Sequence, residues 1–240
     1  MVAAGVLAGG IARTTRRLVS LVPGVPLYLF AKAPLAGRVK RRLCPPLNAE
    51  QAAQVATAML EHASTVVEHG WFGQKILNVT PDLSHRVFAR YQQGFKWQTR
   101  VQVQADLGER MREVLHEGIE YAGAAVVLGT DIPGIDAKIL REAFRALQAG
   151  QQVVGPSQDG GFYLLGLRNM PTGLFKGIEW GSAGVYVGMM KNAREMGVEL
   201  QPIPTLSDCD YFEDLRLAAQ TVPEFKDALE RAGFDVGLLF

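Results

Sequence analysis

The sequence is poor in the residues that staple or anchor unusual folds. Its 240 residues contain two cysteines, Cys44 and Cys209, which excludes a disulfide-rich secreted scaffold and points to a reducing compartment. No uncharged apolar run approaches the roughly 18–20 residues that a membrane span requires, so no span is expected and a cytoplasmic location follows. Internal repeats, low-complexity linkers and a G-x-x-x-x-G-K-[ST] phosphate loop are all missing. Histidine is scarce: the four, at 62, 69, 85 and 116, fall in predicted helices away from the loops discussed below, and no Ser–His–Asp or Cys–His set is visible. Acid is absent from the first 49 residues, which hold eight cations. The rest of the chain carries 17 of the 25 Lys and Arg residues and all 24 acids. The net charge of +1 therefore conceals a cationic N-terminal fifth. A small anionic ligand such as a nucleotide phosphate suits this better than a duplex, because no broad basic surface is implied, and nucleic acid is not an expected partner.

What remains is an ordinary globular composition, 48% hydrophobic and 20% charged. A chain of this length buries about 70% of its unfolded surface and needs no metal or disulfide to fold. Residues 1–25 read as an N-terminal extension: an apolar, small-residue stretch precedes its charges, the reverse of a secretory signal, and an organellar transit peptide is the alternative. Residues 26–240 read as a single domain.

From Leu27 the pattern becomes regular. Leu27–Ala31 is an apolar run fit for a buried strand, and Asn48 with Gln51 forms a capping-box signal before a helical face running from Ala52 to Val67. Further strands are predicted at 75–79, 99–104, 124–128, 153–155, 162–167 and 199–203. Helices are predicted at 83–93, 108–119, 136–148 and 183–196, with two short ones at the end. Short strands alternating with helices indicate an α/β sandwich with a largely parallel central sheet.

In such sheets ligands bind at the carboxyl ends of strands. Three strand-following loops carry the chemistry. Residues 30–43, FAKAPLAGRVKRRL, hold Lys32, Arg38, Lys40, Arg41 and Arg42 around Gly37; these cations and the local backbone amides can neutralise a diphosphate, or the loop is simply solvated. In VLGTDIPGID, residues 127–136, Asp131 ends an apolar strand and is a candidate anchor for Mg²⁺ or Mn²⁺; the alternative is a helix cap, a role Asp136 fits better. In GPSQDGGFYLLG, residues 155–166, Gly160 and Gly161 would let the backbone approach a ligand, and Asp159 is placed to accept hydrogen bonds from hydroxyls, although Asp-Gly-Gly is also an ordinary turn. Trp180 can stack on a base or sugar or be buried. Asp208-Cys209-Asp210 offers a second metal ligand, Asp210 or Asp208, and only one of the two is expected to reach a shared site.

Taken together, FAKAPLAG-x-VK-x-RL, DLGERM, LGTDIPGI, DGGFYLLGL, EWGS and D-x-D-x-x-EDL, in that order over residues 27–217, resemble the bacterial radical-SAM/selenodomain-associated transferases, also called arsenosugar-biosynthesis-type glycosyltransferases. The resemblance implies a nucleotide-diphospho-sugar transferase fold of GT-A type, a Rossmann-like three-layer α/β/α sandwich. It implies that Lys32, Gly37, Lys40 and Arg42 form the nucleotide-phosphate loop, that Asp131 binds the metal, and that Asp159 with its paired glycines lies on the acceptor side. Arg41, where a small hydroxyl residue is usual, and Ala105, in place of a glycine, depart from the pattern.

The expected activity is metal-dependent transfer of a sugar from a nucleotide-diphosphate donor to a small-molecule acceptor, with Asp159 as general base or as an orienting group for the donor sugar. Nucleotidyl transfer to a phosphorylated acceptor needs the same loop and metal, and a non-catalytic nucleotide-binding protein is the third reading.

Overall fold

The structure is a computed structural model that describes residues 24–240. The expected extension, apart from Gly24 and Val25, lies outside the described residues. Among those described, seven strands form one sheet: β1 (Leu27–Lys32), β2 (Lys75–Thr80), β3 (Gln98–Val101), β4 (Ala125–Gly129), β5 (Gln152–Pro156), β6 (Phe162–Leu167) and β7 (Leu200–Pro202). Their spatial order is β3-β2-β1-β4-β6-β5-β7. Every pairing is parallel except those of β6, which runs antiparallel to both β4 and β5.

The central strands read as continuous apolar runs because both faces of the sheet are covered. In β1, Leu27, Leu29 and Ala31 face one layer and Tyr28 the other. The first layer contains α1 (Ala49–Gly70) and α3 (Ala137–Gln148); the second contains α2 (Leu107–Ala122) and α4 (Val185–Glu195). Outside α1 pack α5 (Phe212–Thr221) and α6 (Pro223–Arg231). That is why α1 has two apolar faces: Leu60, Ala63 and Val67 meet the sheet layer, while Val55, Ala58 and Met59 meet α5 and α6. Its start is fixed by the predicted capping box, in which the Gln51 amide N–H donates to Asn48 Oδ1 at 2.9 Å and the Asn48 N–H to Gln51 Oε1 at 2.8 Å.

Two expectations need correction. The helix expected at 83–93 begins only at Arg86 and is not a regular α-helix: a 3₁₀ turn at Arg86–Phe88 runs through Ala89 and Arg90 into a π-helical turn at Tyr91–Phe95. Val87, Phe88 and Tyr91 are buried at helical spacing, which this mixed run satisfies as well as a regular α-helix does. The second concerns histidine. His62 is buried on α1 and its Nε2 lies 2.8 Å from the Pro133 carbonyl, so it tethers the loop after β4. Burial holds its pKa below the ordinary value and keeps the ring neutral, with Nε2–H donating.

Candidate functional site

β1 ends at Lys32, and the chain turns back over the sheet. The Lys32 ammonium donates to the Arg38 carbonyl at 2.7 Å, closing the loop on itself, and Gly37 supplies the left-handed turn at φ +72°. Gly37 shapes the loop but does not line the cleft it borders. Lys32, Arg38, Lys40, Arg41 and Arg42 all do. This cleft, of about 590 Å³, opens over the carboxyl ends of β1 and β4 and also contains Asp131, Asp208 and Asp210. Among the described residues, Lys32, Arg38 and Arg41 make no ion pair with a carboxylate, whereas Lys40 and Arg42 do.

Lys40 is the most constrained of these cations. Its backbone sits in the left-handed region at φ 43°, and its side chain is only 7% exposed. The ammonium donates to the Cys209 carbonyl at 2.9 Å and faces Asp131 Oδ1 at 3.1 Å and Asp210 Oδ1 at 3.5 Å. Burial alone would lower its pKa, but the facing Asp131 and Asp210 charges outweigh burial and raise it, so the group stays charged. Arg42 Nη1 donates to the other Asp210 oxygen at 2.7 Å, and its guanidinium lies 5.7 Å from the centre of the Tyr211 ring. Asp131 follows β4, is 54% exposed, and does not cap a helix. Asp136 does, accepting from the Ile139 N–H at 2.8 Å.

Both carboxylates of the Asp-Cys-Asp segment reach the cleft, not one. Cys209 between them is buried in the core against α5 and α6, and the carboxylates on either side of it both border the cleft. Asp210 serves the cation side and Asp208 the opposite side, beside Asp159.

Asp159 Oδ1 accepts from Ser157 Oγ at 2.5 Å and from the Gly161 N–H at 2.8 Å. Burial works to raise its pKa, yet these hydrogen bonds, with a further one from Asp208, bring it below the ordinary value. Asp208 responds in the other direction. Burial first, and then the Asp159 charge, push its carboxyl up to about 7, and its Oδ2 is buried without a hydrogen-bond partner. A carboxyl held low and a carboxyl held high therefore stand side by side. The sequence does not show this pairing, because Asp159 and Asp208 lie far apart along the chain, and Ser157 carries no signal of its own beside the Asp-Gly-Gly turn.

The pair opens into a second cavity of about 220 Å³, continuous in its lining with the first through Phe30, Phe162 and Asp208. Trp180, Ser182 and Gly161 also line it, and none of its lining residues is Lys or Arg. Trp180 is half-buried, edge-on to Phe175 at 5.3 Å, so it belongs to the core and the cavity wall at once.

Gly160, which the sequence places beside a ligand, lines neither of these two cavities. A Cβ there would lie 2.1 Å from the Ala183 carbonyl oxygen, and its own carbonyl accepts from the Tyr186 N–H at 2.9 Å. It locks the Asp159 turn to the segment that carries Trp180. Its φ of +88° adds strain for any side chain. Gly160→Ala is therefore expected to destabilise the fold by roughly 2–5 kcal/mol, from backbone strain and overpacking together, as read by urea unfolding. A change within 0.5 kcal/mol would show that the contact relaxes freely.

Among the described residues no group of three or more His, Cys, Asp or Glu side chains is arranged to hold a metal ion. The Lys40 ammonium nevertheless shows that two carboxylates and a backbone carbonyl can meet one cation. Such hard oxygen donors suit Mg²⁺ or Mn²⁺. In chemical type and in convergence, Asp131 and Asp210 fit the expected ion.

Over residues 66–182 the sequence matches the family described as "Uncharacterized protein conserved in bacteria (DUF2064)". No curated protein matches the chain. Among solved structures, one from Desulfovibrio desulfuricans G20, described as a "putative nucleotide-diphospho-sugar transferase", is 25% identical over 88% of this chain and 97% of that one, with a TM-score of 0.75. A cytidylyltransferase from Leptospira borgpetersenii serovar Hardjo-bovis (strain JB197) is 13% identical over 90% of this chain and 97% of its own, with a TM-score of 0.51, a likeness of fold. The fold is thus that of the nucleotide-diphospho-sugar transferases.

Proposed function

We propose that the protein is a single-domain transferase that takes a nucleotide-diphosphate sugar and passes the sugar to a small acceptor. The observation that carries this reading is the pairing of two unlike cavities. The larger gathers five cations beside Asp131 and Asp210; the smaller offers carboxylates, hydroxyls and aromatic rings with no cation in its lining. Phosphates suit the first, and a neutral, hydroxyl-rich group suits the second.

The division of labour follows. Lys32, Arg38 and Arg41, unpaired with carboxylates among the described residues, accept the donor phosphates together with Arg42. Asp131 and Asp210 would hold Mg²⁺ or Mn²⁺, which when bound neutralises charge on the leaving diphosphate. Asp159, kept ionised by Ser157 and Gly161, takes the proton of an acceptor hydroxyl or grips a donor hydroxyl. Phe162 and Trp180 supply the apolar wall against which a sugar ring packs. A role beside radical-SAM/selenodomain enzymes, and a cytoplasmic location, belong to the same reading. Among the described residues no helix is long and apolar enough to cross a membrane.

Product analysis tests it. Nucleoside triphosphates and nucleotide sugars are offered side by side with Mg²⁺ or Mn²⁺, after a thermal-shift screen selects the base. A nucleoside diphosphate at about 100 times its Kd should add about 2.7 kcal/mol of stability. Release of nucleoside diphosphate from a sugar donor is expected. Release of pyrophosphate from a triphosphate, with no turnover of any sugar donor, would replace this reading with nucleotidyl transfer.

A further inference from the structure

Lys40 is placed oddly for a phosphate ligand. A residue that binds phosphate should leave ammonium protons free, but each of the three protons here has an oxygen within reach: the Cys209 carbonyl, Asp131 Oδ1 and Asp210 Oδ1. The side chain is nearly buried, and the backbone accepts a left-handed conformation, uncommon outside glycine, to put it there. The two carboxylates it bridges come from the loop after β4 and from the segment before α5, and they are the same two that would hold the divalent ion.

From this we infer that Lys40 is an internal counter-ion occupying the seat of the divalent cation, and that the donor phosphates draw it off that seat when metal and nucleotide bind together. The inference rests on the proposed reading of Asp131 and Asp210 as metal ligands.

Charge balance supports it. Lys40 and Arg42 already neutralise Asp131 and Asp210. A dication entering while the ammonium stays would face a positive charge with no net negative field to offset it. The ammonium sits about 3 Å from its oxygens, whereas Mg²⁺ requires about 2.1 Å, so the two cannot share the position. A diphosphate changes the balance, because its oxygens can receive the displaced ammonium while its negative charge would offset that of the incoming dication. Metal alone should therefore bind weakly, metal and diphosphate should each tighten the other, and the coupling should be reciprocal. Lys40 is then a positioning residue. It keeps two carboxylates from repelling each other in the free protein and delivers a cation to the phosphates on binding.

The test is direct Mn²⁺ binding, followed by the loss of the free-ion EPR signal, without and with inorganic pyrophosphate. Pyrophosphate leaves the unknown base and sugar out of the experiment. Four proteins are compared: the unaltered chain, Lys40→Met, Lys40→Met with Asp131→Asn, and Asp131→Asn alone, each checked for folding by circular dichroism. The unaltered chain should bind Mn²⁺ weakly alone and at least tenfold more tightly with pyrophosphate. Lys40→Met should bind Mn²⁺ alone at least tenfold more tightly than the unaltered chain, gain less from pyrophosphate, and lose its advantage when Asp131→Asn is added. A merely structural lysine would not tighten metal binding on removal. Should the methionine variant fail to fold, Lys40→Gln removes the charge while keeping an N–H for the Cys209 carbonyl, and the same tightening is expected. Unaltered or weaker Mn²⁺ binding in the folded Lys40 variant, with Asp131→Asn alone still abolishing binding, overturns the exchange and leaves the metal reading standing. No Mn²⁺ binding by any protein, with or without pyrophosphate, overturns the metal seat and the exchange together.

Discussion

Asp131→Asn is expected to abolish metal-dependent nucleotide binding and to lower turnover at least a hundredfold while the protein stays folded. The asparagine has nearly the same shape, so the loop after β4 keeps its anchors, the Cys209 N–H to the Asp131 carbonyl at 3.0 Å and His62 to the Pro133 carbonyl. What disappears is one negative charge at a point where a cation must sit. The side chain is 54% exposed, so its pairing with Lys40 contributes at most about 1 kcal/mol to stability, and Lys40 retains Asp210 and the Cys209 carbonyl. Catalysis bears the larger loss, because a metal on the leaving phosphate is worth several kcal/mol in the transition state. Calorimetric titration of a nucleoside diphosphate with and without Mn²⁺ measures the binding term. If metal still enhances binding in the variant, Asp131 is not its ligand.

Asp159→Asn should reduce turnover by about 10²–10⁴ if the carboxylate removes the acceptor proton, and by at least tenfold if it only orients the sugar. The substitution is informative because the asparagine carbonyl can still accept from Ser157 Oγ and the Gly161 N–H, so the turn survives. Only charge and basicity are lost. Nucleoside diphosphate affinity should be nearly unchanged, since the phosphate cleft is lined by other residues, so the loss should appear in turnover and not in nucleoside diphosphate binding. Equal turnover in variant and parent would remove Asp159 from the chemistry. Asp208 is the informative control. Its carboxyl is pushed up to about 7 by burial first and then by the Asp159 charge, so neutralising Asp159 should remove only part of that shift.

Much of the fold was legible because both sheet faces are covered. Leu27–Ala31 and Ala125–Gly129 are apolar on successive residues, which few other environments demand, and Asn48 with Gln51 marks the start of α1 through local hydrogen bonds that need no distant partner. Residues 83–93 show the limit of periodicity. It reports which side chains are buried, and Val87, Phe88 and Tyr91 are buried by a mixed 3₁₀ and π-helical run instead of a regular α-helix.

The site divides in the same way. That the loop after β1 is cationic and has no local carboxylate is a property of the sequence alone, since no acid occurs before residue 50. So are the Asp that ends β4, the Asp-Gly-Gly turn, and the alternation that places them at strand ends. Which charges meet was decided only by the tertiary structure. Lys40 finds Asp131 and Asp210, and Asp159 finds Asp208, because the segment Asp208–Asp210 crosses the carboxyl ends of the strands with Cys209 anchored in the core. The physical reason is that local sequence sets backbone conformation through hydrogen bonds a few residues long. Pairing and desolvation of charges depend on Coulomb energy at about 3 Å, and no sequence pattern specifies a distance across 170 residues of chain.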